Sequence, residues 1–220
     1  MENITLRIKF TKLGPIKFIG HLDVMRYFQK AIRRAGLDIK YSNGFNPHQI
    51  MSFAAPLSVG VESTGEYMDI EMNSFTSVSD VKEKLNRCMA EGIEIVDVTL
   101  LPENAKNAMA SVSSAIYSIV FRDSYCLDFS PEEAVNKFHA ATEVTIQKES
   151  KKSDALIDLK PSVYELTADD NKRMLTMKVN ASSSGNIKPL YVVKALCSMY
   201  EKEVRFEDLM ITRIDTILES

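Results

Sequence analysis

Ile4-Thr5-Leu6-Arg7-Ile8-Lys9-Phe10 alternates apolar and polar residues, the period-two pattern of a strand with one buried face. Beyond it the period changes. Leu22, Met25, Phe28, Ile32 and Ala35 recur at spacings of three and four, which predicts a helix over 22–35 with one apolar face. Gly36 stands where a helix C-terminal cap belongs. Residues 37–42 are short and strand-like, and Asn43-Gly44 and Asn46-Pro47 mark turns. Residues 50–60 and 66–72 predict strands, Ser77 and Ser79 offer caps for a helix near 78–91, and 93–101 closes with a strand. The order is strand, helix, strands, helix, strand, the βαββαβ plan of a ferredoxin-like unit with an extra hairpin in the middle.

The second half repeats that order. Residues 115–122 alternate as a strand, and Ser130-Pro131-Glu132-Glu133 opens a helix that runs to about 141. Residues 142–147, 155–160, 164–167 and 173–179 are extended; 188–200 is helical and 203–218 strand-like. Pro102, Asn104, Asn107 and three serines predict a linker at 102–114. The expected fold class is α+β: two tandem ferredoxin-like units with antiparallel sheets, the first carrying the inserted hairpin. The expected domains are 1–101 and 115–220.

Composition narrows the class. Hydrophobic residues make up 45% of the 220 and charged residues 26%, the balance of a globular protein. No run of 18 apolar residues suits a membrane span. Met1-Glu2-Asn3-Ile4-Thr5 lacks the basic, then apolar, start of a signal peptide. Three scattered cysteines, Cys88, Cys126 and Cys197, favour reduced thiols, so a cytoplasmic location is expected. There is no CxxxCxxC for an iron–sulfur cluster, no GxxxxGK[ST] phosphate loop and no GxSxG elbow. No cofactor and no metal are expected.

Charge is uneven. Residues 1–61 hold nine Lys or Arg against three acids, a balance of +6, and the remainder balances to −9. A basic segment on an acidic chain can steer a polyanion to one face. Arg26, Lys30, Arg33 and Arg34 stand at i, i+4, i+7 and i+8, one stripe on the predicted helix and suited to a phosphate backbone. The alternative is an ordinary solvated face. Tyr41-Ser42-Asn43-Gly44-Phe45-Asn46-Pro47-His48-Gln49 is the second rich segment. Its aromatics beside basic residues can stack RNA bases. Alternatively, it is a packed hairpin tip with Phe45 in the core and the Asn side chains bonding locally. The candidate RNA-binding residues are Lys17, Arg26, Lys30, Arg33, Arg34, Tyr41, Asn43, Phe45, Asn46 and His48. The catalytic candidates are His21, Asp23 and His48, because imidazole serves as acid or base near neutral pH. The same three could be imagined around a metal, although their spacing is loose.

Lys17-Phe18-Ile19-Gly20-His21-Leu22-Asp23, Arg33-Arg34-Ala35-Gly36-Leu37, Tyr41-Ser42-x-Gly44-Phe45-Asn46-Pro47-His48, Ser52-Phe53-Ala54, Pro56-Leu57-x-Val59-Gly60 and Glu66-Tyr67-x-Asp69 together resemble the bacterial radical-SAM-associated (radical-SAM-linked) domain family of unknown function. The strong resemblance covers about residues 8–72. The chain departs from the family's prolines at Asp38 and Gln49, which costs the loop some rigidity. The resemblance implies a companion to radical-SAM proteins with a cobalamin-binding-type region, either fused C-terminally to them or made as a separate neighbour. Members also tend to be encoded near a ribonuclease of the G/E type and a ribosomal protein, a context of RNA modification or ribosome biogenesis. The family has no established catalytic residues to carry over. By layout alone the chain is also similar to RNA-binding ferredoxin-like proteins, including the CRISPR-associated RNA-processing superfamily. The expected function is an accessory RNA-binding or substrate-docking module whose partners are a radical-SAM protein and structured RNA, with no membrane and no DNA. The alternatives are a metal-independent RNA-processing enzyme using His21 or His48, and a pure protein-interaction subunit.

Overall fold

The computed structural model describes residues 4–148 and 155–219. Residues 1–3, part of the N-terminal stretch read for a signal peptide, lie outside the described residues. The chain divides into two compact units, residues 1–112 with 215–220 and residues 113–214.

The first unit runs β1 (Ile4–Lys12), α1 (His21–Arg34), β2 (Met51–Phe53), β3 (Glu62–Met72), α2 (Val78–Asn86), β4 (Ile95–Leu100) and the single turn α3 (Ala108–Ser111). The pairing order is β4-β1-β3, with β2 also on β3, and each of these pairings is antiparallel. Alternation places Leu6, Ile8 and Phe10 of β1 and Met68, Ile70 and Met72 of β3 on one face. Val24, Phe28 and Ile32 of α1 and Val81 and Leu85 of α2 cover it. Phe28 sits edge-on to Phe10 at 4.7 Å and to Phe53 at 5.9 Å. Burying a ring of this size contributes about 1.5–3 kcal/mol. Ser77 caps α2 as expected, its Oγ accepting from the Asp80 N–H at 3.1 Å.

Several boundaries differ from the sequence reading. The buried stripe of α1 is Val24, Phe28, Ala31 and Ile32, and Leu22 is 64% exposed. Spacings of three and four fit two rotations of one helix, and packing on the sheet chose the one that turns Leu22 out. The strand expected over 50–60 shrinks to β2, because Pro56 cannot donate to a ladder and Gly60 turns at φ +88°. Helix α2 ends at Asn86, whose side-chain amide both donates to and accepts from the Ile95 backbone. The inserted hairpin is reduced to bridges between Ile39 and Met72 and between Tyr41 and Gln49. The stretch 102–114, read as a linker, contains α3 and the first residues of the next strand, because buried Asp69 takes the Ala108 N–H.

The second unit holds β5 (Val112–Phe121), α4 (Pro131–Ala140), β6 (Thr145–Lys148), β7 (Ala155–Asp158), β8 (Val163–Asp169), β9 (Met174–Asn180), α5 (Pro189–Ser198) and the start of β10 (Leu209–Leu218). Strand β5 pairs with β9 and β9 with β8, while β6 and β7 form a separate two-stranded sheet. Ser130 caps α4 by accepting from the Glu133 N–H at 3.0 Å. Ile119, Phe138, Leu175, Met177, Val192 and Leu196 are buried. Residues 215–220 group with the first unit, where Asp215 accepts from Lys9 Nζ and from the Tyr67 hydroxyl, both at 3.0 Å. The whole is a mixed α+β structure with mostly antiparallel pairing, and no described helix is long and apolar enough to cross a membrane.

One polar group inside the first unit is held by three donors. Arg7 donates to both oxygens of Asp69 at 2.8 and 2.9 Å, and the Ala108 N–H donates to Oδ2 at 2.6 Å. The Asp69 side chain is 5% exposed and that of Arg7 16%. Removing one partner of such a pair strands the other. Asp69→Ala is expected to lower the unfolding free energy by about 3–5 kcal/mol, read as a shift of the urea midpoint; a loss under about 1 kcal/mol would mean the pair is surface-like.

Candidate nucleic-acid interface

The basic excess of the first 61 residues is mostly answered by acids from elsewhere in the same unit. Arg7 pairs with Asp69, Lys9 with Asp215, Lys17 with Glu62 at 2.9 Å and Lys40 with Glu71 at 3.2 Å. Arg26 pairs with Asp23 one helical turn away at 3.2 Å, both side chains well exposed. Among the described residues, Lys30, Arg33 and Arg34 have no acidic partner. Arg34 donates to the Cys88 carbonyl at 3.1 Å and lies over the Tyr27 ring. The remaining positive surface is therefore the C-terminal half of α1. That is also where cations complement the helix dipole.

The second segment is brought onto the same helix. The Gln49 amide is buried and donates to the Gln29 carbonyl at 3.2 Å and to the Tyr41 hydroxyl at 3.4 Å. The Arg33 guanidinium donates to that same Gln29 carbonyl at 3.2 Å. Helix and loop thus meet at one oxygen. The loop is closed at its base: Ile50 N–H donates to Lys40 O, and Ser42 N–H to His48 O. Ser42 Oγ accepts from the His48 N–H at 3.1 Å and lies 2.8 Å from His48 Nδ1. Gly44 turns at φ +114°, which a side chain would strain. Asn43, Asn46 and His48 are exposed, Tyr41 is 44% exposed, and Phe45 is fully exposed at the tip rather than tucked into the core. Gln49 supplies the bridge to α1, and Asp38 accepts from the Asn73 amide and the Ser74 hydroxyl. Those two hydrogen bonds hold the Asp38 carboxyl below the usual range.

The catalytic candidates are separated in their partners. His48 engages Ser42, and Asp23 engages Arg26. His21 sits edge-on to Phe53 at 5.4 Å and lines a cavity of about 10 Å³ with Lys12, Glu66 and Leu57, room for about one water. Lys12 and Glu66 are buried. Lys12 Nζ donates to the carbonyls of Lys17 and Ile19, fixing the entry to α1. Among the described residues no three of His, Cys, Asp and Glu gather around a common point. Sequence reasoning named none of Lys12, Glu66, Gln29 and Gln49 as a site residue. For the first two a signal was present: both continue the core-facing rows of β1 (6, 8, 10, 12) and β3 (66, 68, 70, 72).

Comparison with known families places this segment in a wider context. A family model described as an uncharacterized protein conserved in bacteria (DUF2344) matches residues 5–189. The chain belongs to this family. The match takes in all of α1, the 41–49 loop and the His21 surroundings, and so extends well past the motif-rich first 72 residues. No curated protein matches the chain.

His21 has a testable consequence. Burial pushes its pKa below the ordinary 6.5; Glu66 opposes the shift and Lys12 adds to it. The unfolded chain therefore binds a proton more readily, and this site's stability is complete above pH 6.5. It falls as pH drops through 6.5 toward the folded pKa. Between pH 7.5 and 5.5 the wild-type urea midpoint should fall more than that of His21→Gln. Parallel declines would remove His21 as the responsible group.

Proposed function

We propose that the protein is an RNA-binding accessory module that holds a structured RNA on the C-terminal half of α1 and the 41–49 loop. The observation that carries this is the convergence of Arg33 and Gln49 on the Gln29 carbonyl, with Tyr41 bonded to the same amide. It sets the cations without acidic partners beside an exposed aromatic loop. Cations supply phosphate contacts, and aromatics and amides supply contacts to bases. Within the expected interface this reading gives Lys30 and Arg33 the leading electrostatic role; Lys17 is held by Glu62.

The reading also covers what lies around the module. The resemblance of residues 8–72 to the radical-SAM-associated family supports a radical-SAM protein as the partner that performs the chemistry, in a cytoplasmic setting of RNA modification or ribosome biogenesis. We further read the two units as tandem ferredoxin-like repeats. The matching strand orders β4-β1-β3-β2 and β10-β5-β9-β8 support this.

The test is an equilibrium titration of labelled transfer and ribosomal RNA fragments at several salt concentrations. Lys30→Glu with Arg33→Glu should weaken binding at least tenfold and flatten the slope of log affinity against log salt by about 0.7 per lost phosphate contact. Unchanged affinity and slope in the double variant would sink the proposal.

A further inference from the structure

We infer that the 41–49 loop is a stacking platform for an unpaired nucleotide, so that the RNA class recognised is one with a single-stranded loop, bulge or end rather than an uninterrupted duplex. The inference rests on the RNA-binding reading above and deepens it. Phe45 carries the argument. Its ring is fully exposed, although a phenyl ring gains on leaving water. The neighbouring aromatic Tyr41 is 44% exposed at the base of the same loop.

The loop holds that ring out rather than letting it collapse. The backbone pairs Lys40–Ile50 and Ser42–His48 close the base, Ser42 Oγ ties down the His48 N–H and ring, and Pro47 and the positive φ of Gly44 shape the tip. A preset loop loses little conformational freedom on binding. The underlying anchor is Gln49, buried against α1 and bonded to Gln29, whose carbonyl also takes Arg33. That anchor sets the base of the loop beside Arg33, so a base resting on Phe45 would lie on the loop that adjoins this helix. Aromatic stacking is tolerant of sequence because each base presents a π face, but it needs the base out of the helix. In a duplex the bases are already stacked on each other, and Phe45 would meet only backbone.

Two probes of equal phosphate number separate this from general affinity for phosphate. One is a hairpin with an unpaired loop carrying 2-aminopurine, the other a blunt duplex. The hairpin should bind about tenfold tighter and its 2-aminopurine emission should be quenched on binding. Phe45→Ala should lower hairpin affinity about tenfold and abolish the quenching while leaving duplex affinity unchanged, and Phe45→Trp should retain both. Because Phe45 is exposed, the thermal midpoint of these variants should match the wild type. Equal binding of both probes with no effect of Phe45→Ala, while the Lys30/Arg33 double variant still weakens binding, would overturn the stacking platform and leave the RNA reading intact. Binding of neither probe would overturn both, and would turn attention to the loop as a protein contact.

Discussion

The rotation of α1 is the constraint on which the surface of the first unit depends. Phe28 is fully buried against Phe10 and Phe53, and Val24, Ala31 and Ile32 follow it into the core. A helix advances about 100° per residue, so once this stripe faces the sheet, Arg26, Lys30 and Arg33 have only solvent to face. The same rotation presents the Gln29 carbonyl to Gln49. Packing of apolar rings thereby decides where the cations stand and which loop lies beside them.

Charge acts on top of that frame. Along the chain the first 61 residues look strongly basic. In space, Glu62, Asp69, Glu71 and Asp215 neutralise four of those cations. What survives is a small patch, not a basic domain. Exposed pairs such as Arg26–Asp23 contribute little to stability, whereas Arg7–Asp69 is shielded enough that losing one partner is costly. The distinction separates cations that build the fold from cations available to a phosphate.

The region around His21 has a different character. Lys12 and Glu66 carry charge at positions whose alternation points into the core, and His21 shares their small cavity. Lys12 spends its donors on the carbonyls of Lys17 and Ile19, just ahead of α1. His21 lines the same cavity, which has room for about one water, beside the lysine that fixes the entry to α1.

The sequence by itself determined the element types and much of their order. The alternation of 4–10, the cap at Ser77 and the Ser130–Pro131 helix start are local signals, and local signals survive in a one-dimensional reading. It also marked the two segments of the proposed interface. What the tertiary structure decided was everything that depends on partners distant in sequence. Leu22 faces out because the sheet selects one of two allowed helix phases. Residues 108–111 are held because Asp69, 39 residues away in sequence, accepts the Ala108 N–H. Lys17 is paired because Glu62 reaches it, and Arg33 shares the Gln29 carbonyl with the loop because Gln49, 20 residues from Gln29, spans the gap. Phe45 stands in water for the same reason: whether an aromatic at a turn is buried depends on what the rest of the chain brings next to it, and here none of the described residues covers it.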